Sequence, residues 1–133
     1  MKNNIIRYLG VDWGEKRIGL AIGDSDSKMA VPYKTVINIK DVLEIIKEEN
    51  INIVVIGEPI KMSGKKNFPN KFLKFVKKIK NNKNIKIKLV DERLTSKHAD
   101  SLFGDKKNKA SRDAISAMLI LDGYFKNKKL NFF

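Results

Sequence analysis

The chain contains no cysteine and a single histidine, His98. The absence of cysteine excludes a disulfide framework, a zinc ribbon and a cysteine nucleophile. A single histidine leaves no partner for a multi-histidine metal site and argues against a histidine-dependent catalytic triad. Long apolar runs are also missing, since the longest has about five residues, far fewer than a membrane span needs. The first ten residues show no signal-peptide pattern, so we expect a cytoplasmic protein.

The size of the chain fits one domain. It has 133 residues and a mass of 15.2 kDa, and a chain of about this length buries enough surface to fold without disulfides or a structural metal. No repeat, linker or low-complexity segment divides it. We therefore expect a single domain over residues 1–133.

Acidic residues are absent from one long segment. Residues 61–88 hold 11 lysines and no aspartate or glutamate, within a chain of net charge +13. AT-rich codon usage accounts for part of this, because lysine, asparagine and isoleucine are all abundant. The clustering nevertheless indicates contact with a polyanion. Nucleic acid is the first candidate and an anionic membrane surface the second, although the narrow apolar stripe of Phe72, Phe75, Val76 and Ile79 better fits a protein core.

Hydrophobic periodicity predicts an α/β domain. The expected strands are 5–12, 17–23, 30–37, 51–57 and 85–91. The first expected helix begins at Asp41, and three more cover 68–81, 94–103 and 112–126. Glu44 follows Asp41 at capping-box spacing, Ser111 is a candidate cap for the last helix, and residues 104–112 read as a flexible basic loop. Pro32 marks an edge strand or a bulge. An antiparallel meander followed by βαβ crossovers gives one mixed five-stranded sheet with helices on both faces.

Three carboxylates fall where this architecture would bring them together. Asp12 ends the first strand, Glu92 follows the last strand, and Asp113 lies in the first turn of the last helix, on its apolar side. An inward-facing carboxylate is costly unless it is paired or binds a cation. Oxygen ligands at strand ends suit Mg²⁺ or Mn²⁺. Two such ions can activate water and stabilise the leaving oxygen of a phosphodiester, so an acidic centre within a basic surface predicts a nuclease.

Each acid also has a simpler interpretation. Asp113 can complement a helix N-terminus, Asp12 can serve as a turn residue between glycines, and Glu92 can pair with Arg93 or a nearby lysine. The identity of the third ligand stays open, because three further acids can approach the same edge: Glu58, Asp24 and Asp91. Trp13 is expected to pack in the core, although its position beside Asp12 leaves base stacking open.

Three motifs resemble the YqgF/RuvX family, a ribonuclease H-like group of Holliday junction resolvases and pre-16S rRNA nucleases. The first motif is Gly10-Val-Asp12-Trp-Gly14-Glu-Lys16-Arg17-Ile-Gly19-Leu-Ala21, the second is Asp91-Glu92-Arg93-Leu94-Thr95-Ser96, and the third joins Lys106-Lys107-Asn108-Lys109 to Asp113-Ala-Ile-Ser-Ala117. They occur in order over about residues 6–126. The loop after Gly57 is similar to the family's loop but departs from it, with Glu58 in place of leucine, Lys61 in place of asparagine and Ser63 in place of aspartate.

The resemblance implies a ribonuclease H-like fold in which Asp12, Glu92 and Asp113 are the catalytic, metal-binding acids. It implies phosphate contacts at basic positions of the same motifs: Lys16, Arg17, Arg93, Lys107 and Lys109. Lys65 and Lys66, from the lysine-rich segment, are further candidate nucleic-acid contacts. The departures after Gly57 affect the positioning of substrate rather than the chemistry.

The predicted function is a divalent-metal-dependent endonuclease that uses Mg²⁺ or Mn²⁺, with two ions expected. The resemblance implies 5′-end processing of pre-16S ribosomal RNA, with ribosomal particles as partners and a monomer or weak homodimer as the assembly. A Holliday junction resolvase and a nucleic-acid-binding module without catalysis stay open as alternatives. So does docking to a membrane or ribosome through residues 61–88. The sequence does not choose between RNA and DNA, because discrimination at the 2′-hydroxyl depends on groove geometry.

Overall fold

The computed structural model describes residues 4–59, 68–82, 84–91 and 109–127. The strands described are β1 (Arg7–Asp12), β2 (Ile18–Asp24), β3 (Ala30–Val36), β4 (Ile53–Glu58) and β5 (Lys86–Asp91). The helices described are α1 (Ile39–Glu48), α2 (Asn70–Lys80) and α3 (Lys109–Lys126). These elements follow the predicted order. The helix expected over 94–103 lies outside the described residues.

The five strands form one mixed sheet in the order β3-β2-β1-β4-β5. β1, β2 and β3 pair antiparallel, whereas β1, β4 and β5 pair parallel. The predicted mixed sheet is therefore confirmed. Its three parallel strands end together at Asp12, Glu58 and Asp91, and we call this the carboxyl edge of the sheet. The amino edge, at which β1 begins with Arg7, lies at the other end of the strands.

Pro32 occupies both of the positions expected for it. β3 is an edge strand, and its pairing with β2 slips by one residue, because Leu20 pairs with Lys34 whereas Ala21 pairs with Pro32. Tyr33 is the extra residue of this bulge. An edge strand tolerates proline because its outward N–H groups have no partner strand to bond.

The two faces of the sheet are covered differently. α1 and α2 pack on one face against large aliphatic side chains of alternate strand residues, including Leu9 and Val11 of β1 and Val54 and Ile56 of β4. We call this the aliphatic face. α3 packs on the other face, where Val55 joins Ile120 and Leu121. Because strand residues alternate between faces, Tyr8, Gly10 and Asp12 of β1 all lie toward α3.

Glycines let α3 approach the sheet closely. A Cβ atom on Gly10 would lie 2.7 Å from the carbonyl oxygen of Ala117, and one on Gly19 would overlap the carbonyl group of Asp113. Gly23 meets the ring of Phe125 in the same way. We call this side, with Gly10, Gly19 and Gly23, the glycine face. Glycine is required there because the helix lies closer than any side chain would allow.

Two helices begin earlier than the sequence pattern predicts. α1 begins at Ile39, and the side chain of Asn38 caps it by accepting a hydrogen bond from the N–H of Asp41 at 2.9 Å. Asp41 is therefore the third residue of the helix rather than its first. α3 begins at Lys109, so the expected cap Ser111 is a helical residue and Lys109 is not part of a loop. Both errors arise because several polar residues before an apolar run satisfy the same capping pattern.

Candidate nuclease site

Asp12 lies at the carboxyl edge on the glycine face. It is the last residue of β1, is half-buried, and pairs directly with Gly19 of β2. Directly paired residues of antiparallel strands lie about 4.5–5.5 Å apart and share a face. The next residue, Trp13, falls on the aliphatic face, where its ring packs edge-on against Phe72 at 5.4 Å between centroids. The expectation that Trp13 packs in the core is confirmed.

Asp113 reaches the same place from α3. Its backbone lies directly over Gly19, the pairing partner of Asp12. The residues that follow it along one side of the helix, Ala117 and Leu121, are buried against the sheet. The backbones of Asp12 and Asp113 therefore both adjoin Gly19, one within the sheet and the other from α3. Because α3 begins at Lys109, Asp113 is its fifth residue, and the prediction that it lies in the first turn is wrong. This position also argues against the simpler interpretation, in which Asp113 complements the helix N-terminus.

Arg17 forms an ion pair with Asp113. Its Nε atom donates a hydrogen bond of 2.6 Å to Oδ2 of Asp113, and the two side chains are 41% and 23% exposed. Arg17 directly precedes β2, so the pair joins the β1–β2 hairpin to α3. The guanidinium balances the charge of a half-buried carboxylate. The motif contains Arg17, but no sequence spacing identifies a partner 96 residues away.

The alternative acids lie elsewhere. Glu58 and Asp91 pair with each other across β4 and β5. They continue the alternation of Ile56 and Leu89, and Ile56 belongs to the core under α1 and α2. Strand alternation therefore assigns both acids to the aliphatic face, opposite Asp12. Neighbouring strand ends can therefore present opposite faces, and this alternation argues against Glu58 or Asp91 as a ligand beside Asp12.

Asp24 lies at the amino edge. It pairs with Arg7 at the start of β1, whereas Asp12 pairs with Gly19. The two pairs are five residue steps apart along β1, which is roughly 17 Å. The N–H of Ser27 donates a hydrogen bond to Oδ1 of Asp24 at 2.8 Å and lowers the pKa of that carboxyl. The possibility that Asp24 approaches Asp12 is therefore wrong; Asp24 stabilises a turn.

Most of the other predicted site residues lie outside the described residues: Glu92, Lys65, Lys66, Arg93 and Lys107. Lys16 is exposed in the turn between β1 and β2, and Lys109 begins α3. Within the described ranges, no group of three or more histidine, cysteine or acidic side chains is placed to hold a metal ion. Asp12 and Asp113 supply two carboxylates from two elements, and such oxygen donors fit a hard divalent cation.

The packing at Gly10 and Gly19 is a feature that the sequence interpretation did not assign. Gly10 and Gly19 determine how closely α3 packs on the sheet, and therefore how closely Asp113 approaches Asp12. Their presence inside otherwise apolar strands is the signal that could have indicated this packing, since glycine in a strand often marks a close backbone approach.

No helix among the described residues is long and apolar enough to cross a membrane.

Comparison with protein families gives a match over nearly the whole chain. The family model described as "RuvX: Holliday junction resolvase" matches residues 6–127. Among curated proteins, two named "Putative pre-16S rRNA nuclease" are similar. The one from Endomicrobium trichonymphae is 36% identical over 131 residues, covering 89% of this chain and 94% of the relative. The one from Sulfurihydrogenibium sp. (strain YO3AOP1) is 37% identical over 141 residues, covering 95% and 97%.

Solved structures show a similar fold. RuvC of Thermus thermophilus, solved in complex with a Holliday junction substrate, gives a TM-score of 0.59 at 13% identity and covers 93% of this chain and 96% of that one. The fowlpox virus Holliday junction resolvase gives a TM-score of 0.58 at 16% identity, with coverages of 91% and 98%. At these identities the likeness concerns the arrangement of the strands and helices.

Proposed function

Because this chain belongs to the RuvX family of Holliday junction resolvases, we propose that it is a divalent-metal-dependent endonuclease that processes the 5′ end of pre-16S ribosomal RNA. The family resemblance, the ribonuclease H-like fold and the nuclease function predicted from the motifs are confirmed. We propose the RNA substrate because the similar curated proteins are named pre-16S rRNA nucleases. The alignments cover most of this chain and most of each relative. We further propose that the protein acts in the cytoplasm and meets its RNA within ribosomal particles.

The observation that supports a catalytic centre is the meeting of Asp12 and Asp113 at Gly19. Two carboxylates at one point of a basic protein would repel a phosphodiester unless a cation neutralised them. We propose that Asp12, Asp113 and Glu92, which directly follows β5, hold Mg²⁺ or Mn²⁺, with two ions as the favoured number. When bound, such ions supply Lewis acidity and stabilise negative charge on phosphate oxygens.

The protein's own side chains orient these groups. Asp12 is fixed by the β1–β2 ladder, and Asp113 is fixed by the close contact of α3 with Gly19. Arg17 holds the Asp113 carboxylate and keeps a positive charge beside the site. We propose that Arg17 also faces the substrate phosphate, together with six other cations of the motifs and the lysine-rich segment. These are Lys16, Lys65, Lys66, Arg93, Lys107 and Lys109.

Cleavage of a four-way DNA junction is the second candidate function. The description of the family and the fold shared with RuvC favour it. Symmetric cutting of a junction needs two active sites at a fixed spacing, and therefore a dimer. The RNA proposal needs one site only and is compatible with a monomer or a weak homodimer.

The test compares cleavage of a precursor 16S RNA and a synthetic four-way DNA junction in Mg²⁺ or Mn²⁺. Wild type is assayed beside Asp12→Asn and a control, Asp122→Asn, which removes an acid from the end of α3 that lies away from Asp113, where it pairs with Lys126. We expect RNA cleavage that Asp12→Asn lowers by at least about a thousandfold, a loss typical of removing a catalytic group, and that Asp122→Asn leaves unchanged. Cleavage of the junction alone would establish the second candidate.

A binding module without catalysis makes a different prediction. If the acids bind cations, Mg²⁺ strengthens RNA binding to the wild type, and EDTA or Asp12→Asn removes that gain. Binding that is indifferent to EDTA in the wild type, together with no cleavage of either substrate, would contradict the nuclease proposal.

A further inference from the structure

A groove lies between the β1–β2 hairpin and α2, on the aliphatic face beside the carboxyl edge. Its volume is about 200 Å³. Trp13 and Glu15 line it from the hairpin, and Lys71, Lys74 and Lys78 line it from the helix. This groove is separate from the meeting point of Asp12 and Asp113, because those residues lie on the glycine face. The two places are one residue apart along the chain, because Trp13 directly follows Asp12 at the end of β1.

The lysines of the groove form a straight row. Lys71, Lys74 and Lys78 are three and four residues apart, so they share one side of the helix and span roughly 10 Å along it. All three are exposed, while Phe72 and Phe75 of the same helix are buried in the core. α2 contains no acidic residue. The row therefore presents a line of mobile ammonium groups to solvent, the arrangement that follows a polyphosphate backbone.

Glu15 is the acidic residue that lines the groove. Its Oε1 atom lies 3.8 Å from Nζ of Lys71, and the two side chains are 60% and 74% exposed. An ion pair this open contributes little energy and gives way readily to a phosphate.

Trp13 adds an aromatic surface to this charged row. Its contact with Phe72 holds the indole in place, and the side chain is still partly exposed at the groove. Grooves that bind single-stranded nucleic acid combine cations along the backbone with aromatic rings on which unpaired bases stack. A duplex does not expose its base faces in this way.

We propose that the groove of Trp13, Lys71, Lys74 and Lys78 binds a single-stranded flank of the nucleic-acid substrate, whose strand then passes round the carboxyl edge to Asp12. The inference deepens the proposed function and rests on it. A membrane is a poorer occupant, because the apolar side of α2 is buried in the core. A second copy of the chain placed row against row is disfavoured, because like charges would face each other.

Binding is tested without cleavage, in EDTA, with a fluorescently labelled 12-nucleotide polyuridine. The variant Lys71→Gln/Lys74→Gln/Lys78→Gln is compared with Lys47→Gln/Lys86→Gln/Lys126→Gln, which removes the same charge from element ends at the amino edge. We expect the groove variant to bind about tenfold or more weakly and the slope of log Kd against log salt to fall by about 2, since each phosphate contact on a single strand contributes about 0.7. Equal losses in both variants would overturn the proposal.

Trp13 gives a second readout, because it is the one tryptophan of the chain. We expect its fluorescence to be quenched when polyuridine binds the wild type, and quenching at equal oligonucleotide concentration to be lost in the groove variant. Tight binding with unchanged fluorescence would contradict stacking at Trp13. Circular dichroism of both triple variants checks that each one is folded.

Further arms separate this proposal from its competitors. Because binding is measured in EDTA, without cleavage, a failure of the cleavage assay leaves the groove testable by itself. Glu15→Gln should tighten binding about twofold, because it releases Lys71 and removes a repelling charge. Duplex RNA that competes as well as polyuridine would overturn the preference for single strands. Phosphatidylserine vesicles provide the last comparison. If the wild type binds vesicles but not polyuridine, and the groove variant loses vesicle binding, the lysine row is a membrane contact instead.

Discussion

The two faces of the sheet hold their helices in different ways. On the aliphatic face, Leu9, Leu20 and Val54 are fully buried under α1 and α2, so that side-chain volume fills the gap. On the glycine face the backbone of α3 touches the backbone of the sheet at Gly10 and Gly19. Packed side chains can adjust by small rotations. Where the backbone of a helix contacts the backbone of a sheet, the distance between the two elements is fixed. The difference indicates that one face provides stability and the other fixes the position of a carboxylate.

Phe72→Ala should have the largest effect on stability. The phenyl ring is fully buried and contacts Trp13, so its removal leaves a cavity and lowers the free energy of unfolding by about 3–5 kcal/mol. Urea unfolding measures the loss. Because Phe72 lies on the aliphatic face, we expect kcat per folded molecule at saturating RNA to change less than threefold at low temperature, within roughly 0.6 kcal/mol. The KM for RNA should rise, because Phe72 holds Trp13 in the proposed groove. A much larger change in kcat would show that this face also positions the acids.

Gly19→Ala should separate activity from stability. The added methyl overlaps the carbonyl of Asp113 and displaces the N-terminal half of α3, at a cost of about 1–3 kcal/mol. A shift of about 1 Å in a catalytic group can reduce the rate a hundredfold, so we expect at least that loss in cleavage.

Gly23→Ala is the matched control for Gly19→Ala. Its methyl would lie 2.8 Å from the carbonyl oxygen of Met29 and 2.9 Å from the ring of Phe125, near the C-terminal end of α3. We expect a similar loss in urea unfolding and near-normal cleavage of precursor RNA. Equal losses of cleavage in the two variants would contradict a local role for Gly19.

Arg17→Gln should have a moderate effect. The ion pair with Asp113 is partly exposed, so its removal costs stability by about 1 kcal/mol or less. Without the guanidinium, a cation no longer competes for that carboxylate, and we expect the Mg²⁺ concentration for half-maximal cleavage to fall about two- to fivefold. The KM for RNA should rise, because a positive charge is lost beside the phosphate. An unchanged Mg²⁺ titration would mean that Asp113 does not contact the ion.

Asp24→Asn should have the smallest effect. The Ser27 hydrogen bond lowers the pKa of Asp24 in the folded protein, so its contribution to stability is present above the unfolded pKa and is lost as the pH falls through the folded pKa. Thermal unfolding should show the variant slightly less stable at neutral pH and equal to wild type in acid. Cleavage at neutral pH should not change, since Asp24 lies at the amino edge.

The sequence predicts the parts of the site that depend on short spacing. Asp12 ends a strand and Asp113 shares a helix side with Ala117 and Leu121, and both signals lie within a few residues. It does not predict on which face Glu58 falls, because a shift of one residue in register reverses the face of a strand end. The ion pair of Arg17 and Asp113 is also hidden, because a long flexible side chain finds its partner only after the fold has formed. Glu92 and the cations outside the described residues stay predictions.

The bulge at Tyr33 bears on how the protein behaves when it is crowded. Exposed strand edges are templates on which other chains add strands and aggregate. Here one edge strand, β3, lacks an N–H at Pro32 and is kinked by the extra residue, while the other, β5, carries the exposed Lys86 and Lys88. Neither edge offers a flat, uncharged template. Among the described residues, the sheet therefore resists growth into an aggregate at both of its edges.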